Sequence, residues 1–311
     1  MSFKIKIKVI GIGGSGVNAI NRMKRKKDAF HGIELISINT DAQDLKSKKA
    51  DLKLRIGRKL TQGLGSGSSA TLGRRAAEEQ RQEITEILRG ADIVFIATGL
   101  GGGTGSGASP IVAEIASNLG ILTIGVVTMP FSFEGQSRFV VARKARAKLE
   151  EKTDSLIVIP NDNLLKFLAP DISLAKAFET CDDILWQAVK GIAALVVLPG
   201  IVNVNFADIR TIMKNSGAAF FGVGKAKGKD RAVQAAKNAL NSPLLNIPIS
   251  KAKGILFNIS GGEDISLYEI NEAAKVITEN AGPNAKVVFG AIQDENLSKG
   301  EMKCTVIATG F

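Results

Sequence analysis

A parallel, doubly wound α/β sheet, a long helix behind it and a smaller α/β domain at the end form the architecture this sequence predicts. Three observations predict it. Short apolar runs alternate with helix-period segments through the first half of the chain. Glycine clusters close two of those runs. The stretch from Asp171 to Leu198 reads as one helix, stopped by Pro199-Gly200.

In chain order, Lys4–Ile10 reads as a strand, then a glycine cluster, then a helical pattern from Val17 to Lys27. Ile33–Ile38 and Asp51–Ile56 are the next strands, and a helix over Leu72–Leu88 carries Arg and Glu on its outer face. Ile93–Ala97 is continuously apolar with glycine close behind it, the pattern of a strand buried on both faces. A further helix, a strand at Leu122–Thr128, a helix over Phe139–Lys152 and a strand at Leu156–Pro160 complete the alternation. Beyond the long helix, strands are expected at Ala218–Val223, Gly254–Ile259, Lys286–Ile292 and Lys303–Ala308, with helices at Arg231–Leu240 and Leu267–Asn280 between them. A chain of 311 residues suits two domains better than one core, and the expected limits are 1–170, a connecting helix at 171–200, and 201–311.

Composition narrows the function classes. With 45% apolar and 23% charged residues the chain has a globular, not a disordered, make-up. The longest apolar stretch, Ile192–Val202, is broken by Pro199-Gly200 and too short to span a bilayer. The opening residues alternate apolar and basic side chains and lack the apolar core of a signal peptide, so a cytoplasmic protein is expected. Cys181, Cys304 and His31 are the only cysteines and histidine. That argues against a Cys/His metal site, which takes about four ligands, and against a disulfide framework; His31 is expected to be a bystander. The net charge of +11 comes from clusters at Arg22–Lys27, Lys46–Lys49, Arg143–Lys148 and Lys225–Lys229. They lack interleaved aromatics, so solvated faces are favoured over a nucleic-acid or lipid surface.

Two glycine clusters carry the chemistry. Gly11-Ile12-Gly13-Gly14-Ser15-Gly16 follows a strand and opens a helix, where free N–H groups and a partial positive charge await an anion. Taken alone it also fits a dinucleotide fingerprint, with Asp41 as the ribose-binding acid, and therefore an NAD(P)-dependent enzyme. Gly101-Gly102-Gly103-Thr104-Gly105-Ser106-Gly107 is more specific. Five glycines in seven positions are a large entropic cost for an ordinary turn, whereas consecutive N–H groups make a phosphate nest to which Thr104 adds a hydroxyl. Two such turns in one sheet suggest a polyphosphate held between them. No GxxxxGK[ST] pattern occurs, so the lysine of P-loop proteins is missing.

Gly101–Gly107 resembles the signature of the tubulin/FtsZ GTPase superfamily, and the rest of the chain follows the family's bacterial cell-division members. Asn39-Thr40-Asp41-Ala42-Gln43, Lys59–Gly65, Pro130–Gly135, Ile159–Asp162, Asn241–Asn246 and Val306–Phe311 continue the match in order. The resemblance implies a Rossmann-like parallel-sheet GTPase domain, a long central helix and a smaller α/β C-terminal domain. It implies GTP or GDP as ligand, Mg²⁺ as its counter-ion with no dedicated protein metal site, and head-to-tail filaments of this chain at the midcell division site.

By the same resemblance, Gly13, Gly14, Ser15, Gly102, Gly103, Thr104 and Gly105 hold the phosphates, and the loop at Gly67 senses the γ-phosphate. Glu134 and Arg138 meet ribose and phosphate, Asn18 and Asn161 meet sugar and base, Phe178 stacks on guanine, and Asp182 accepts from guanine N1 and N2. Asp183 is an alternative acceptor one position on. The resemblance also implies that hydrolysis is completed by a loop of the next subunit, here Asn203–Asp208, with Asp208 as the acid. Asn205 stands where the family usually has a second aspartate. An amide orients water but takes no proton from it, so a slowly hydrolysing filament protein is the alternative reading. Asn205 and Asp208 also suit the cap of a helix starting nearby. Relatives usually continue past Thr309-Gly310-Phe311 into a tail that docks membrane-tethering partners; this chain stops there, so tail-mediated binding is not expected of it.

Overall fold

Strand β1 (Ile7–Ile12) sits inside a parallel sheet because both its faces are apolar. It is flanked by β2 (Ile33–Asn39) and then β3 (Leu52–Arg55) on one side, and by β4 (Ile93–Gly99), β5 (Leu122–Met129) and β6 (Ser155–Pro160) on the other. This is a computed structural model, describing residues 5–25, 32–165, 171–197, 200–242, 244, 247–294 and 297–311. The chain divides into two units, 1–190 and 191–311. In the first, α1 (Gly13–Arg25), α2 (Ala42–Ser47), α3 (Ala70–Glu79), α4 (Arg81–Leu88), α5 (Gly103–Asn118), α6 (Gln136–Glu150) and α7 (Asn161–Leu165) alternate with the strands. Helix α8 (Leu174–Val197) follows, and the division between units falls within it. The core joins Ile10, Ile36, Ile38, Val94, Ile96, Val112, Val127 and Leu156, all fully buried.

The strand order reverses direction between β1 and β4, the switch point outside whose carboxyl ends ligands bind in sheets of this kind. Both glycine clusters lie at that place, and Ile12 is paired with Thr98, so the two strands end level. The structure differs from the expected elements in two instructive ways. Helix α1 begins at Gly13 rather than Val17, because the glycines that read as a loop already supply helical N–H groups. The helix expected over Leu72–Leu88 is two helices that break at Gln80 (φ −104°, ψ 23°), whose buried side chain accepts a hydrogen bond from the Gly57 amide.

Helices α3 and α5 meet backbone to backbone. A Cβ on Gly73 would lie 2.3 Å from the Gly103 carbonyl oxygen, and one on Gly107 would lie 2.1 Å from that of Ala70. Side chains are sterically forbidden at both points of this seam.

The second unit holds a mixed sheet in which β10 (Glu301–Thr309) lies between β7 (Gly217–Lys227) and β8 (Gly254–Gly261), antiparallel to both. Strand β9 (Lys286–Gln293) pairs parallel with β8. Helices α9 (Phe206–Met213), α10 (Arg231–Leu240) and α11 (Leu267–Glu279) accompany it, with Ala235, Ala236, Phe257, Ile277 and Val306 in the core. Helix α11 opens with a capping box in which Ser266 Oγ accepts from the Glu269 amide and Glu269 Oε2 accepts from the Ser266 amide. Buried Arg231 donates to Glu269 Oε1 (2.6 Å) and Oε2 (3.0 Å), to Asp264 Oδ2 (2.7 Å) and to the Asp264 carbonyl (2.9 Å). These bonds hold both carboxyls below the usual range.

Among the described residues no helix is long and apolar enough to cross a membrane. His31, the end of the first helix at Lys26-Lys27, and the Leu198-Pro199 stop lie outside the described residues.

Candidate functional site

At the end of β1 the chain turns through Gly13 with φ +71°, a left-handed conformation that disfavours any side chain. A Cβ there would also lie 2.8 Å from the Gly105 amide nitrogen, so the two glycine turns touch through their backbones. Thr98 Oγ1 donates to the Ile12 carbonyl (2.9 Å) and ties the strand ends together. Helix α5 starts at Gly103 with Gly102 as its N-cap and no side chain capping it, which leaves its first N–H groups open to the cleft.

The cleft above these turns encloses about 700 Å³. Of the residues singled out from the sequence, Gly13, Gly14, Ser15, Gly67, Gly102, Gly103, Thr104, Gly105, Glu134, Arg138, Asn161, Phe178 and Asp182 all line it. Glu134 is fixed by the Phe131 amide (2.9 Å to Oε1) and by Arg138 (2.7 Å to Oε2). Asn161 is 5% exposed, and its Oδ1 is buried with no hydrogen-bond partner, a cost that a ligand donor would relieve. Phe178 is 40% exposed at the rim, edge-on to Phe131 with ring centroids 5.5 Å apart. Asn18 lies instead in an adjoining cavity of about 390 Å³, together with Asn21, Arg22 and Lys48; Phe178 and Asp182 line both spaces.

Asp182 is the most perturbed acid of the site. Burial pushes its carboxyl up to about 7 against the pull of Arg22, while Asp183 and Glu179 add to the rise. Arg22 on α1 reaches Asp182 at 3.4 Å, Glu179 at 3.3 Å and Asp183 at 3.8 Å. The Cys181 thiol beside it is pushed up to about 12 by burial and by the Asp182 and Glu134 charges, so it stays neutral. Burial also raises Asp44, whose carboxylate accepts from Asn39 Nδ2 at 2.9 Å.

Sequence reasoning missed a chain of hydroxyls behind the nest. Thr104 Oγ1 lies 2.6 Å from Thr40 Oγ1 and 2.9 Å from Ser66 Oγ, all three buried, so the loop before α3 is tied directly to the glycine turn. Thr40 was visible only as one letter of the Asn39–Gln43 motif, and Arg22 only as one of a basic cluster. Asp41, posed as a ribose acid, is the N-cap of α2 and accepts from the Asp44 amide (2.9 Å).

Asn205 and Asp208 belong to the second unit. Asn205 is exposed at the N-cap of α9 but makes no side-chain capping bond, and Asp208 is half-buried in the first turn. Among the described residues no group of three or more His, Cys, Asp or Glu side chains is placed to hold a metal ion.

Residues 6–169 match the model of the tubulin/FtsZ family GTPase domain, and residues 217–311 match that of the FtsZ family C-terminal domain. Among solved structures, an empty FtsZ dimer from M. jannaschii is 42% identical with a TM-score of 0.95, covering 100% of this chain and 89% of that one. The W319Y mutant of M. jannaschii FtsZ is 43% identical with a TM-score of 0.94, covering 99% and 91%. CetZ2 from Haloferax volcanii, a GTPγS-bound protofilament, shares the fold at 21% identity and a TM-score of 0.81, covering 98% and 92%.

Proposed function

The chain belongs to the tubulin/FtsZ family, and from that premise we propose that it is a GTP-hydrolysing filament protein of the FtsZ kind, acting in the cytoplasm at the midcell division site. The observation that carries the reading is the switch-point cleft, where two glycine turns in backbone contact, an uncapped helix N-terminus and Asn161 line one space. The 42% identity with FtsZ over the whole chain, against 21% with CetZ2, favours the FtsZ branch.

In this reading residues 1–170 form the GTP-binding domain, the connecting helix at 171–200 adds contacts to the base, and 201–311 form the activation domain. Guanine stacks on Phe178 and donates N1–H and N2–H to Asp182. Glu134 and Arg138 meet ribose and phosphate, and Asn18 and Asn161 meet sugar and base. The phosphates lie over Gly13–Ser15 and Gly102–Gly105, where N–H groups stabilise their charge without needing to reorganise. Mg²⁺ would be held by phosphate oxygens and water, as its hard octahedral chemistry prefers, and would neutralise charge that builds on the phosphates.

Hydrolysis is completed between subunits, with Asp208 of a neighbouring copy positioning the attacking water, because phosphoryl transfer is governed by positioning and electrostatics. A head-to-tail contact of this kind does not close, so it propagates as a filament. Loss of the γ-phosphate frees the Gly65–Gly67 loop and weakens the junction. A slower variant of the same reading is favoured by Asn205, an exposed amide in the place of a second acid.

The test is GTP turnover against protein concentration with Mg²⁺, alongside sedimentation of polymer, for wild type, Asp208→Ala and Asn205→Asp. Turnover per molecule should rise above a threshold concentration. Asp208→Ala should polymerise yet lose about 10²-fold or more in rate, and Asn205→Asp should raise the rate. Turnover that is linear in concentration with no polymer would refute the shared site.

A further inference from the structure

The nucleotide reading leaves Arg22 without a task, although it stands where the base would be recognised. We propose that Arg22 is a specificity-determining residue: its guanidinium, 3.4 Å from Asp182, biases that carboxyl towards an ionised pair of acceptors and thereby favours guanine over adenine. This rests on Asp182 facing the base.

The surroundings of Asp182 explain why it needs a cation. Its side chain is 10% exposed, and Glu179 and Asp183 share the same guanidinium, with Arg22 Nε at 3.4 Å from Asp182 Oδ2. Two neighbouring anions and burial favour the neutral acid, and Arg22 opposes both. The other charges nearby are Arg25 on α1 and Lys48 after α2, which line the same adjoining cavity, and Glu134, which acts on Cys181 next door. With the carboxyl poised near neutrality, one cation decides its state.

The two states recognise different bases. An ionised carboxylate offers acceptors to both N1–H and N2–H of guanine. A neutral carboxyl offers one acceptor and one O–H donor, which matches N6–H and N1 of adenine. Discrimination between bases is thus a protonation equilibrium that Arg22 sets. The clamp is loose enough to leave carboxylate lone pairs for a ligand, unlike a bidentate pair at hydrogen-bond distance.

The experiment titrates GDP, IDP and ADP into wild type, Arg22→Lys, Arg22→Met and Arg22→Gln at pH 6 to 9 by calorimetry. At pH 7, Arg22→Met should weaken GDP several-fold as the ionised fraction of Asp182 falls, while ADP affinity holds or rises. GDP affinity should recover towards wild type by pH 9, and Arg22→Lys should lie close to wild type throughout. IDP, which lacks the N2 donor, should lose less than GDP. Asp182→Asn should bind GDP weakly at every pH, and adding Arg22→Met should change it little. Equal, pH-independent losses for GDP and ADP in both Arg22→Met and Arg22→Gln would make Arg22 a packing residue and overturn the proposal. Wild type that binds ADP as well as GDP at all pH values would instead overturn the guanine reading on which the proposal stands.

Discussion

Arg231 in the second unit fills its donor directions with Glu269 and Asp264 at 2.6 to 3.0 Å, whereas Arg22 in the first reaches three carboxylates only at 3.3 to 3.8 Å. The acids around Arg231 are pulled below their ordinary range, and Asp182 beside Arg22 is raised above it. A guanidinium that completes its hydrogen bonds locks a loop to a helix. One that approaches without closing leaves a buried acid poised and its lone pairs open to something else. The same side chain is a fastener among partly exposed carboxyls in one unit, and in the other it works against the burial that raises Asp182.

The sharpest way to break this contrast is to remove each cation in turn. Arg231→Met should cost about 1.5–3 kcal/mol, since it removes four hydrogen bonds from a buried guanidinium to partly exposed acceptors. Arg22→Met should cost under about 1 kcal/mol, because Asp182 takes up a proton instead of remaining a buried anion. Urea unfolding of the nucleotide-free protein measures both, and equal losses would erase the distinction.

Acidity separates the two regions next. The folded pKa of Asp182 lies above its unfolded value, so the folded chain binds the extra proton between about pH 4 and 7. Stability from that group is greatest at the acid end of the window and declines as pH rises, by at most about 1.4 kcal/mol per pH unit. Asp264 and Glu269 have the opposite sign. Their contribution is present above the ordinary carboxylate range and disappears as pH falls through their lowered folded values. Unfolding from pH 3 to 8 should therefore show a declining limb towards neutrality that Asp182→Asn abolishes, while the loss at the acid end persists. An unchanged profile in Asp182→Asn would remove Asp182 from the comparison.

The smallest effect concerns the hydroxyls behind the nest. Thr104→Val keeps the shape but leaves Thr40 and Ser66 short of a partner, at about 1–2 kcal/mol, and Thr104→Ser should restore most of it. Melting of the nucleotide-free protein reads this cost; the further shift on adding GDP reports affinity, and a valine variant with the full shift would place the hydroxyl chain outside the ligand's reach.

The strands were legible because burial on both faces demands unbroken apolar runs such as Ile93–Ala97, and the glycine turns because no ordinary loop concentrates so much flexibility. Other features lay beyond local pattern. The break at Gln80 depends on the Gly57 amide far away in sequence. The start of α1 depends on glycines counted as loop. Phe178 and Asp182 are ordinary helix letters whose place at the cleft came from the resemblance, not from spacing. Arg22 was hidden by its own neighbours, since a run of basic residues looks alike whether it meets water or a buried acid.

The seam between α3 and α5 has a mechanical meaning. Carbonyl oxygens of Gly103 and Ala70 occupy the places where Cβ atoms would stand on Gly73 and Gly107, so no pliable side chain cushions the joint. A rubber mount absorbs small displacements, but meshed gear teeth pass them on. When the phosphate end of α5 shifts by a few tenths of an ångström, α3 and the Ser66 loop ahead of it have no slack in which to stay behind.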